Sequence, residues 1–185
     1  MIPLEQVRAN VRRMRAAVDE AALRAGRRPE DVRLLAATKT NDAAHVRAAI
    51  GAGISLCGEN RVQELADKLA QNAYAGAEVH LIGHLQKNKA RQVVGRVGLI
   101  HSVDSRPLVQ LLDRLAAGQG LRQKILLEVN IGGEASKSGL RPEEAMELSA
   151  EMGNYPSLQL CGLMAIPPVC ETNGSNRRFF AKMYA

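Results

Sequence analysis

Aromatic residues are scarce in this sequence of 185 residues: they make up 3% of the chain, and tryptophan is absent. Proteins that bind single-stranded nucleic acid stack bases on aromatic side chains, so this scarcity argues against that class. The cysteines, Cys57, Cys161 and Cys170, form an odd set without paired spacing, which argues against a disulfide-stabilised scaffold. Cys57 and Cys161 lie within apolar segments, and we expect both to be unreactive core thiols.

Long hydrophobic runs are also missing. No stretch reaches the ~18 apolar residues of a membrane span, and the first residues lack the apolar core of a signal peptide. Together with the cysteine pattern, these absences predict a soluble protein of the reducing cytoplasm that does not contact a membrane.

The composition is otherwise that of a globular domain. Hydrophobic residues make up 46% of the chain and charged residues 24%, which excludes disordered, collagen-like and fibrous classes. A chain of this length buries a sufficient core without disulfides, and we predict a single domain over residues 1–185. The formal net charge of +6 favours an anionic ligand or partner.

Apolar residues at spacings of three and four predict an amphipathic helix at the start of the chain. Its apolar positions are Leu4, Val7, Val11, Met14, Val18, Ala21 and Ala25. Gly26 and Pro29 follow and are expected to end this helix. Arginines lie between the apolar positions and leave two interpretations open: a solvated helix face, or a basic surface that binds nucleic acid.

Short apolar segments alternate with segments of helical period along the rest of the chain, which indicates repeated βα units. The predicted strands are 32–38, 55–59, 79–83, 99–104, 124–130 and 158–166, and the predicted helices are 42–53, 59–72, 87–95, 106–120 and 141–153. Such units require a parallel sheet, because each crossover returns the chain to the same end. Both an open doubly wound sheet and a (β/α) barrel satisfy this pattern. No G-x-G-x-x-G sequence follows a predicted strand, which disfavours a dinucleotide site.

The number of predicted strands falls short of a complete barrel. A barrel has eight strands and about 250 residues, with ~200 as a lower limit. The last segment, 176–185, resembles the opening of a helix that stops without a cap or turn residue. We therefore expect a truncated chain or a fragment of a longer one.

Polar residues cluster where the predicted strands end. In a parallel sheet these ends lie at one face, where α/β proteins build their sites. The candidates are Lys39, Thr40, Glu59, Asn60, His84, Asp104, Ser105, Asn130 and the segment 164–167.

Lys39 is the most informative of these residues, because it follows the apolar segment LLAAT. We expect that segment to hold the Lys39 amine close to a dry interior. Burial favours the neutral amine, which attacks a carbonyl to form a Schiff base. The alternative is a strand-end lysine whose ammonium group lies in water, and spacing alone does not decide between the two.

Asn60 follows the second predicted strand directly, where the next helix begins. It either caps that helix or donates its amide to a ligand oxygen. His80 and His84 are four residues apart, but four residues of strand span roughly 13 Å, which is too far for one ion. We expect no metal site.

The fifth predicted strand leads into a Gly-rich loop that contains Lys137. This loop is not a P-loop, because Ile131 and Ser136 stand where G-x-x-x-x-G-K-[ST] requires glycine. It either turns backbone N–H groups and Lys137 toward an anion or uses its glycines for tight turns.

A set of strand-end sequences occurs in a specific order along nearly the whole chain: LLAATKT, CGENRVQE, HLIGHLQKNK, HSVDS, VNIGGEASKSGL and CGLMAIPP. In order and spacing they resemble the pyridoxal phosphate homeostasis protein family. The resemblance implies an α/β fold, a TIM-type (β/α) barrel with parallel strands similar to the amino-terminal domain of alanine racemase, here truncated after six strands. It also implies that pyridoxal 5′-phosphate (PLP) is bound as a Schiff base to Lys39.

The same resemblance implies that Asn60 lies by the cofactor. It further implies that His84 and Met164 line the same mouth, with Lys137 on a nearby loop. Family members have no established turnover and are thought to buffer or carry PLP and hand it to apo-enzymes in vitamin B6 homeostasis. We therefore expect a cytoplasmic PLP carrier without catalytic residues, a monomer whose partners are PLP-dependent apo-enzymes.

This sequence departs from the family at its carboxyl end. Family members continue through a seventh and an eighth strand, whose S-M-G-M-S-like and R-I-G-like sequences hold the phosphate and the pyridine nitrogen. If the chain ends at Ala185, we expect Lys39 to keep its chemistry, the cofactor to bind weakly or not at all and an open barrel edge to be exposed.

Two other functions remain as alternatives. One is a PLP-dependent enzyme, racemase-like or lyase-like, that uses the same lysine; His84 is the only plausible acid or base among the strand-end residues considered for it. The other is a nucleic-acid-binding module built on the first helix, which predicts steeply salt-dependent binding. Scarce aromatics and the lack of a known motif argue against this module.

Overall fold

The computed structural model describes residues 2–134, 136–169 and 174–184. The described residues form six strands, which follow one another across one sheet in chain order. The chain divides into two compact units, an amino-terminal unit of residues 1–80 and a carboxyl-terminal unit of residues 81–185. A single barrel domain over residues 1–185 stays a prediction. Within the described ranges, no helix is both long enough and apolar enough to cross a membrane.

The amino-terminal unit alternates helices and strands as the βα pattern predicts. Its elements are α1 (Leu4–Arg24), β1 (Leu35–Ala37), α2 (Ala43–Gly51), β2 (Leu56–Glu59), α3 (Val62–Ala70) and the start of β3 (Glu78–Leu81). β1 and β2 pair in parallel, with Ala37 opposite Gly58. The carboxyl ends of these two strands therefore lie at the same edge of the sheet.

Helix α2 begins at a side-chain cap. The Oδ1 atom of Asp42 accepts a hydrogen bond from the backbone N–H of His45 at 2.9 Å, which satisfies one of the free donors of the first turn. The ring of His45 also lies 2.8 Å from the carbonyl oxygen of Ile2, measured at Nε2. This contact ties the start of the chain to α2, and α1 packs along the same helix.

The carboxyl-terminal unit continues the alternation. Its elements are β4 (Leu99–Val103), α4 (Arg106–Ala117), β5 (Gln123–Glu128), α5 (Pro142–Ala150), β6 (Leu158–Met164) and α6 (Arg177–Tyr184). β5 pairs in parallel with β4 on one side and with β6 on the other. The core of the carboxyl-terminal unit contains side chains that are completely buried, among them Ile100, Val103, Leu112, Ile125 and Leu127. All six predicted strands are confirmed, although each observed strand is shorter than predicted.

The predicted helix over 87–95 is wrong. Lys87–Gln92 form a 3₁₀ helix, and the chain leaves it through two buried β-branched residues, Val93 and Val94. Gly95 then adopts a φ of +78°, and a Cβ atom there would lie 2.8 Å from a side-chain carbon of Leu121. Six residues are too few to make an α-helix that is stable by its own hydrogen bonds, so tertiary packing decides the local conformation.

The two described cysteines differ in exposure. Cys57 in β2 is fully buried, as predicted, whereas Cys161 in β6 is exposed and the prediction of a core thiol there is wrong. Side chains alternate between the two faces of a strand, and Cys161 shares its face with the exposed residues Gln159 and Leu163. Cys170 lies outside the described residues.

Thiol labelling should separate these two cysteines. Burial is the main cause that raises the pKa of the Cys57 thiol to about 11, and the charge of Glu59 contributes to the same rise. In a Cys170→Ser background, we expect Cys161 to react with a water-soluble disulfide reagent at neutral pH and Cys57 to react only after unfolding. Adding Cys161→Ser should remove the fast reaction. Fast labelling of Cys57 in the folded protein would contradict its burial.

Helix α5 offers a matched test of the core. The side chain of Leu148 is 1% exposed, whereas that of Met146 is 74% exposed. We expect Leu148→Ala to lower the free energy of unfolding by about 2–5 kcal/mol, because it leaves a cavity. Met146→Ala on the same helix should change it by less than about 0.5 kcal/mol. Urea unfolding followed by circular dichroism measures both, and equal losses would contradict this orientation of α5.

Candidate functional site

Lys39 lies in a turn just beyond the carboxyl end of β1. The strand ends at Ala37, and Thr38 is the last buried residue before the turn, so the chain emerges into solvent there. The expectation of a dry environment for Lys39 is wrong, because the residue is exposed. Its ammonium group makes no hydrogen bond or ion pair with any described residue. The Lys39 amine is therefore free to meet a ligand.

The backbone around Lys39 is held tightly although its side chain is free. The carbonyl oxygen of Lys39 accepts hydrogen bonds from Thr40 Oγ1 at 2.6 Å and from Asn41 Nδ2 at 3.1 Å. Thr40 has a φ of +63°, which is a strained conformation for a β-branched residue. Its backbone N–H donates to Glu64 Oε2 at 2.9 Å.

A buried carboxylate lies behind this turn. Glu59, the last residue of β2, is 0% exposed, and its Oε1 atom accepts three hydrogen bonds. The donors are Thr38 Oγ1 at 2.6 Å, Lys68 Nζ at 2.7 Å and Tyr74 Oη at 2.9 Å. Lys68 Nζ also donates to the carbonyl oxygen of Thr38 at 2.7 Å. Burial raises the pKa of the Tyr74 hydroxyl, and the neighbouring Glu59 carboxylate raises it further. The cluster thereby joins both strands to α3.

Glu59 is predicted at a strand end from the sequence, whereas the roles of Lys68 and Tyr74 are not. A signal for Lys68 was present, since it lies three residues after Leu65 on the apolar face of α3, and both are buried. A charged residue on such a face needs a partner. The identity of that partner depends on a strand that is distant from α3 in the chain.

Asn60 follows β2 at the same edge of the sheet as Lys39. It does not cap the next helix: α3 begins at Val62, its N-cap is Arg61, and no side chain makes the capping hydrogen bond. The Oδ1 atom of Asn60 is buried and has no hydrogen-bond partner among the described residues. An unpaired buried polar atom costs about 1–3 kcal/mol. Asn60 therefore fits contact with a polar ligand better than the capping alternative.

In the carboxyl-terminal unit, His84 forms a pair with a carboxylate. Its Nδ1 atom lies 3.2 Å from Asp104 Oδ2, at the carboxyl end of β4, and more than half of the His84 side chain is exposed. Glu128 ends β5, the neighbouring strand. Burial raises the pKa of Glu128, the charge of Asp104 raises it further, and His84 opposes both. Two carboxylates and an imidazole thus lie close enough to interact. Glu128 is not predicted as a site residue because it falls within the predicted strand 124–130.

Met164 and Lys137 also belong to this unit. Met164 ends β6, is half-buried and lies opposite Glu128 in the register of β5 and β6. Lys137 lies in the loop between β5 and α5, where its Nζ atom is 2.5 Å from Glu134 Oε2 and 3.5 Å from the carbonyl oxygen of Pro167. The Lys137 ammonium is therefore engaged in an ion pair within its own loop.

The Gly-rich loop is a closed turn. The side-chain amide of Asn130 donates to the carbonyl oxygen of Glu134 at 2.8 Å, and its Oδ1 atom accepts from the Glu134 N–H at 3.2 Å. Gly139 has a φ of +117°, and a Cβ atom there would lie 2.6 Å from the backbone nitrogen of Asn130. This geometry supports the tight-turn interpretation of the glycines.

The structure thus brings Lys39 and Asn60 to one sheet edge in the amino-terminal unit. In the carboxyl-terminal unit, Met164 ends β6, whereas His84 lies in the loop beyond β3 and Lys137 lies in the loop after β5. Over residues 2–134, 136–169 and 174–184, no three or more His, Cys, Asp or Glu side chains are grouped so that they could hold a metal ion.

Comparison with known proteins identifies the family. The family model described as the alanine racemase amino-terminal domain matches residues 2–183. The pyridoxal phosphate homeostasis protein of Aquifex aeolicus is 37% identical over 166 residues, which cover 90% of this chain and 73% of that protein. The chain belongs to the pyridoxal phosphate homeostasis protein family. The predicted α/β barrel-type fold, with parallel strands connected by helices, is confirmed by this match and by the sheet.

Solved structures are similar to this member of the pyridoxal phosphate homeostasis protein family over most of its length. A crystal structure of an unknown protein from Bifidobacterium adolescentis has a TM-score of 0.91 and 37% identity, and the match covers all of this chain and 79% of that one. PipY of Synechococcus elongatus, in a structure with PLP bound, has a TM-score of 0.74 and 34% identity over 90% of this chain and 78% of its own.

The raised pKa of Glu128 predicts how stability depends on pH. The folded chain holds the Glu128 proton more tightly than the unfolded chain does. Protonated Glu128 therefore stabilises the fold fully at pH values below 4.5, the ordinary pKa of a glutamate. This stabilisation is lost as pH rises through the raised pKa of the folded chain. We expect Glu128→Gln to raise the free energy of unfolding at pH 7 and to change it little at pH 4.

Urea unfolding at the two pH values measures this effect, with Glu147→Gln, at an exposed position of α5, as the control. The control should give no pH-dependent gain. A Glu128→Gln protein that is less stable than the wild type at pH 7 would contradict the burial of a carboxylate whose charge is only partly compensated.

Proposed function

We propose that this chain binds PLP through the amine of Lys39 and holds it reversibly in vitamin B6 homeostasis. The observation that carries the proposal is the free Lys39 amine on a tightly held backbone, in a chain 34% identical to PipY, whose structure contains PLP. When bound, PLP supplies an aldehyde that condenses reversibly with a primary amine. Reversible condensation suits a carrier, because the aldehyde is protected while held and can be released.

The remaining residues of the proposed site support this role through their chemistry. We propose that the amide of Asn60 contacts a polar atom of the cofactor, since its buried Oδ1 has no partner among the described residues. His84, in the loop beyond β3, and Met164, at the end of β6, are proposed to contact the cofactor from the carboxyl-terminal unit. Lys137 is proposed as a further cofactor contact and would have to exchange its ion pair with Glu134 for it.

The cellular role follows from the same chemistry. We propose that the protein is a cytoplasmic monomer that supplies PLP to apo-enzymes. The unpaired cysteines, Cys57 and Cys161, support a reducing compartment.

Covalent trapping tests the proposal directly. The protein is mixed with an equimolar amount of PLP, reduced with borohydride and mapped by mass spectrometry. We expect labelling at Lys39 at least tenfold above labelling at the exposed Lys124. Lys39→Ala should remove the dominant label and the visible absorbance that PLP acquires on the protein, whereas Lys124→Ala should change neither. Equal labelling of the two lysines would overturn the proposal.

A second candidate, a PLP-dependent enzyme that uses the same lysine, is favoured by one observation. The His84–Asp104 pair and the half-buried Glu128 supply acid and base groups, which proton transfer at a substrate carbon requires. Exchange of the α-proton of amino acids in deuterated water tests for it. Exchange that exceeds the rate with free PLP and is lost in both Lys39→Ala and His84→Gln would establish turnover, and exchange no faster than with free PLP would exclude it.

A further inference from the structure

Helix α3 holds the backbone on both sides of Lys39. The carbonyl oxygen of Thr38, in the peptide group that precedes Lys39, accepts a hydrogen bond from Lys68 Nζ at 2.7 Å. The N–H of Thr40, in the peptide group that follows Lys39, donates to Glu64 Oε2 at 2.9 Å. Both peptide groups attached to the Lys39 Cα atom are thus bound by charged side chains of one helix.

The two side chains also interact with each other. Glu64 and Lys68 are one helical turn apart on α3, and Glu64 Oε2 lies 3.8 Å from Lys68 Nζ. Lys68 is 6% exposed and has a second carboxylate partner in Glu59, so its charge is compensated within the interior. Charge-assisted hydrogen bonds of this kind are about twice as strong as neutral ones. The contacts to Thr38 and Thr40 are therefore stronger and more rigid than contacts in an ordinary turn.

The strained residue next to Lys39 indicates what this arrangement is for. A β-branched residue rarely adopts positive φ, and such strain persists only where the surroundings impose it. Thr40 combines a φ of +63° with a hydrogen bond from its N–H to Glu64 Oε2. The hydrogen bonds from Lys68 to Glu59 and to Thr38 already attach α3 to the sheet. The additional contact between Thr40 and Glu64 is not needed for that attachment.

We propose that Glu64 and Lys68 are positioning residues for Lys39. By holding the peptide groups before and after Lys39, they fix the direction of its Cα–Cβ bond, so that the side chain leaves the turn in one direction. This inference rests on the proposed function. When a neutral amine condenses with an aldehyde, a C=N bond forms and the carbonyl oxygen leaves as water with both amine protons. An amine whose side chain starts from a restrained backbone reaches the aldehyde carbon without first losing the orientational freedom of a mobile turn.

Variants can separate positioning from simple stabilisation. Glu64→Ala removes the acceptor for the Thr40 N–H, whereas Glu64→Gln keeps an acceptor oxygen and removes the charge. Lys68→Met alone would leave Glu59 buried and unpaired, which threatens folding. The double variant Glu59→Gln/Lys68→Met removes both charges and the donor to the Thr38 carbonyl. Asp67→Ala, at an exposed position of α3, is the matched control.

Two measurements are made on each variant that unfolds cooperatively in urea. The first is the rate of PLP trapping at Lys39 relative to Lys124, and the second is amide hydrogen exchange at Thr40 by NMR. We expect Glu64→Ala and Glu59→Gln/Lys68→Met each to slow trapping at Lys39 about tenfold and to leave Lys124 unchanged. Glu64→Ala should also accelerate exchange at Thr40, Glu64→Gln should restore most of both readouts, and Asp67→Ala should match the wild type.

The outcomes distinguish this inference from the function on which it rests. If wild-type Lys39 is trapped no faster than Lys124, the proposed function fails and the inference fails with it. If wild-type Lys39 is preferred and the folded Glu64→Ala and double variants retain the full rate, the inference alone is overturned. Unchanged exchange at Thr40 in Glu64→Ala would also overturn it, because the hydrogen bond would then not restrain the turn.

Discussion

The buried ion pair between Glu59 and Lys68 is the contact on which the amino-terminal unit depends most. It joins the end of β2 to α3, and through Thr38 it also reaches the end of β1. Removing one partner of such a pair costs about 3–5 kcal/mol, because the other charge is left buried, whereas replacing both by neutral groups is often tolerated. The pair therefore matters more for the relative positions of β1, β2 and α3 than for the net free energy of unfolding. It determines where the chain leaves the sheet and where Lys39 emerges.

A free side chain and a restrained backbone are combined at Lys39. The amine has no partner among the described residues, while the carbonyl of Lys39 accepts two hydrogen bonds and the neighbouring peptide groups are bound by α3. A lysine in an ion pair would have to break it before reacting, and a lysine on a mobile turn would have to find its orientation. The polar interior of the amino-terminal unit avoids both costs. This combination suits a family whose members are named for the homeostasis of a reactive aldehyde.

The carboxyl-terminal unit distributes its apolar and charged residues differently. Its strands bury an apolar core without an interior ion pair comparable to that of Glu59 and Lys68 in the described residues, and its polar groups lie at strand ends. There the burial of Glu128 beside Asp104 disfavours ionisation, and His84 offsets only part of that effect. A parallel sheet concentrates such groups at one edge, since every strand ends in the same direction. The strand ends of this unit therefore keep a carboxylate whose ionisation is unfavourable.

The sequence by itself determined the alternation of strands and helices, the parallel sheet and the position of Lys39 beyond the first strand, because hydrophobic period and strand-end residues are local properties of the chain. Only the tertiary structure decided the 3₁₀ helix at Lys87–Gln92, the exposure of Lys39 and the selection of Lys68 as the partner of Glu59. It also brought Glu128 close to Asp104. Local patterns report which face of an element is apolar. They do not report which charged side chains meet across elements, since that depends on strand register and helix packing between residues that are distant in the chain.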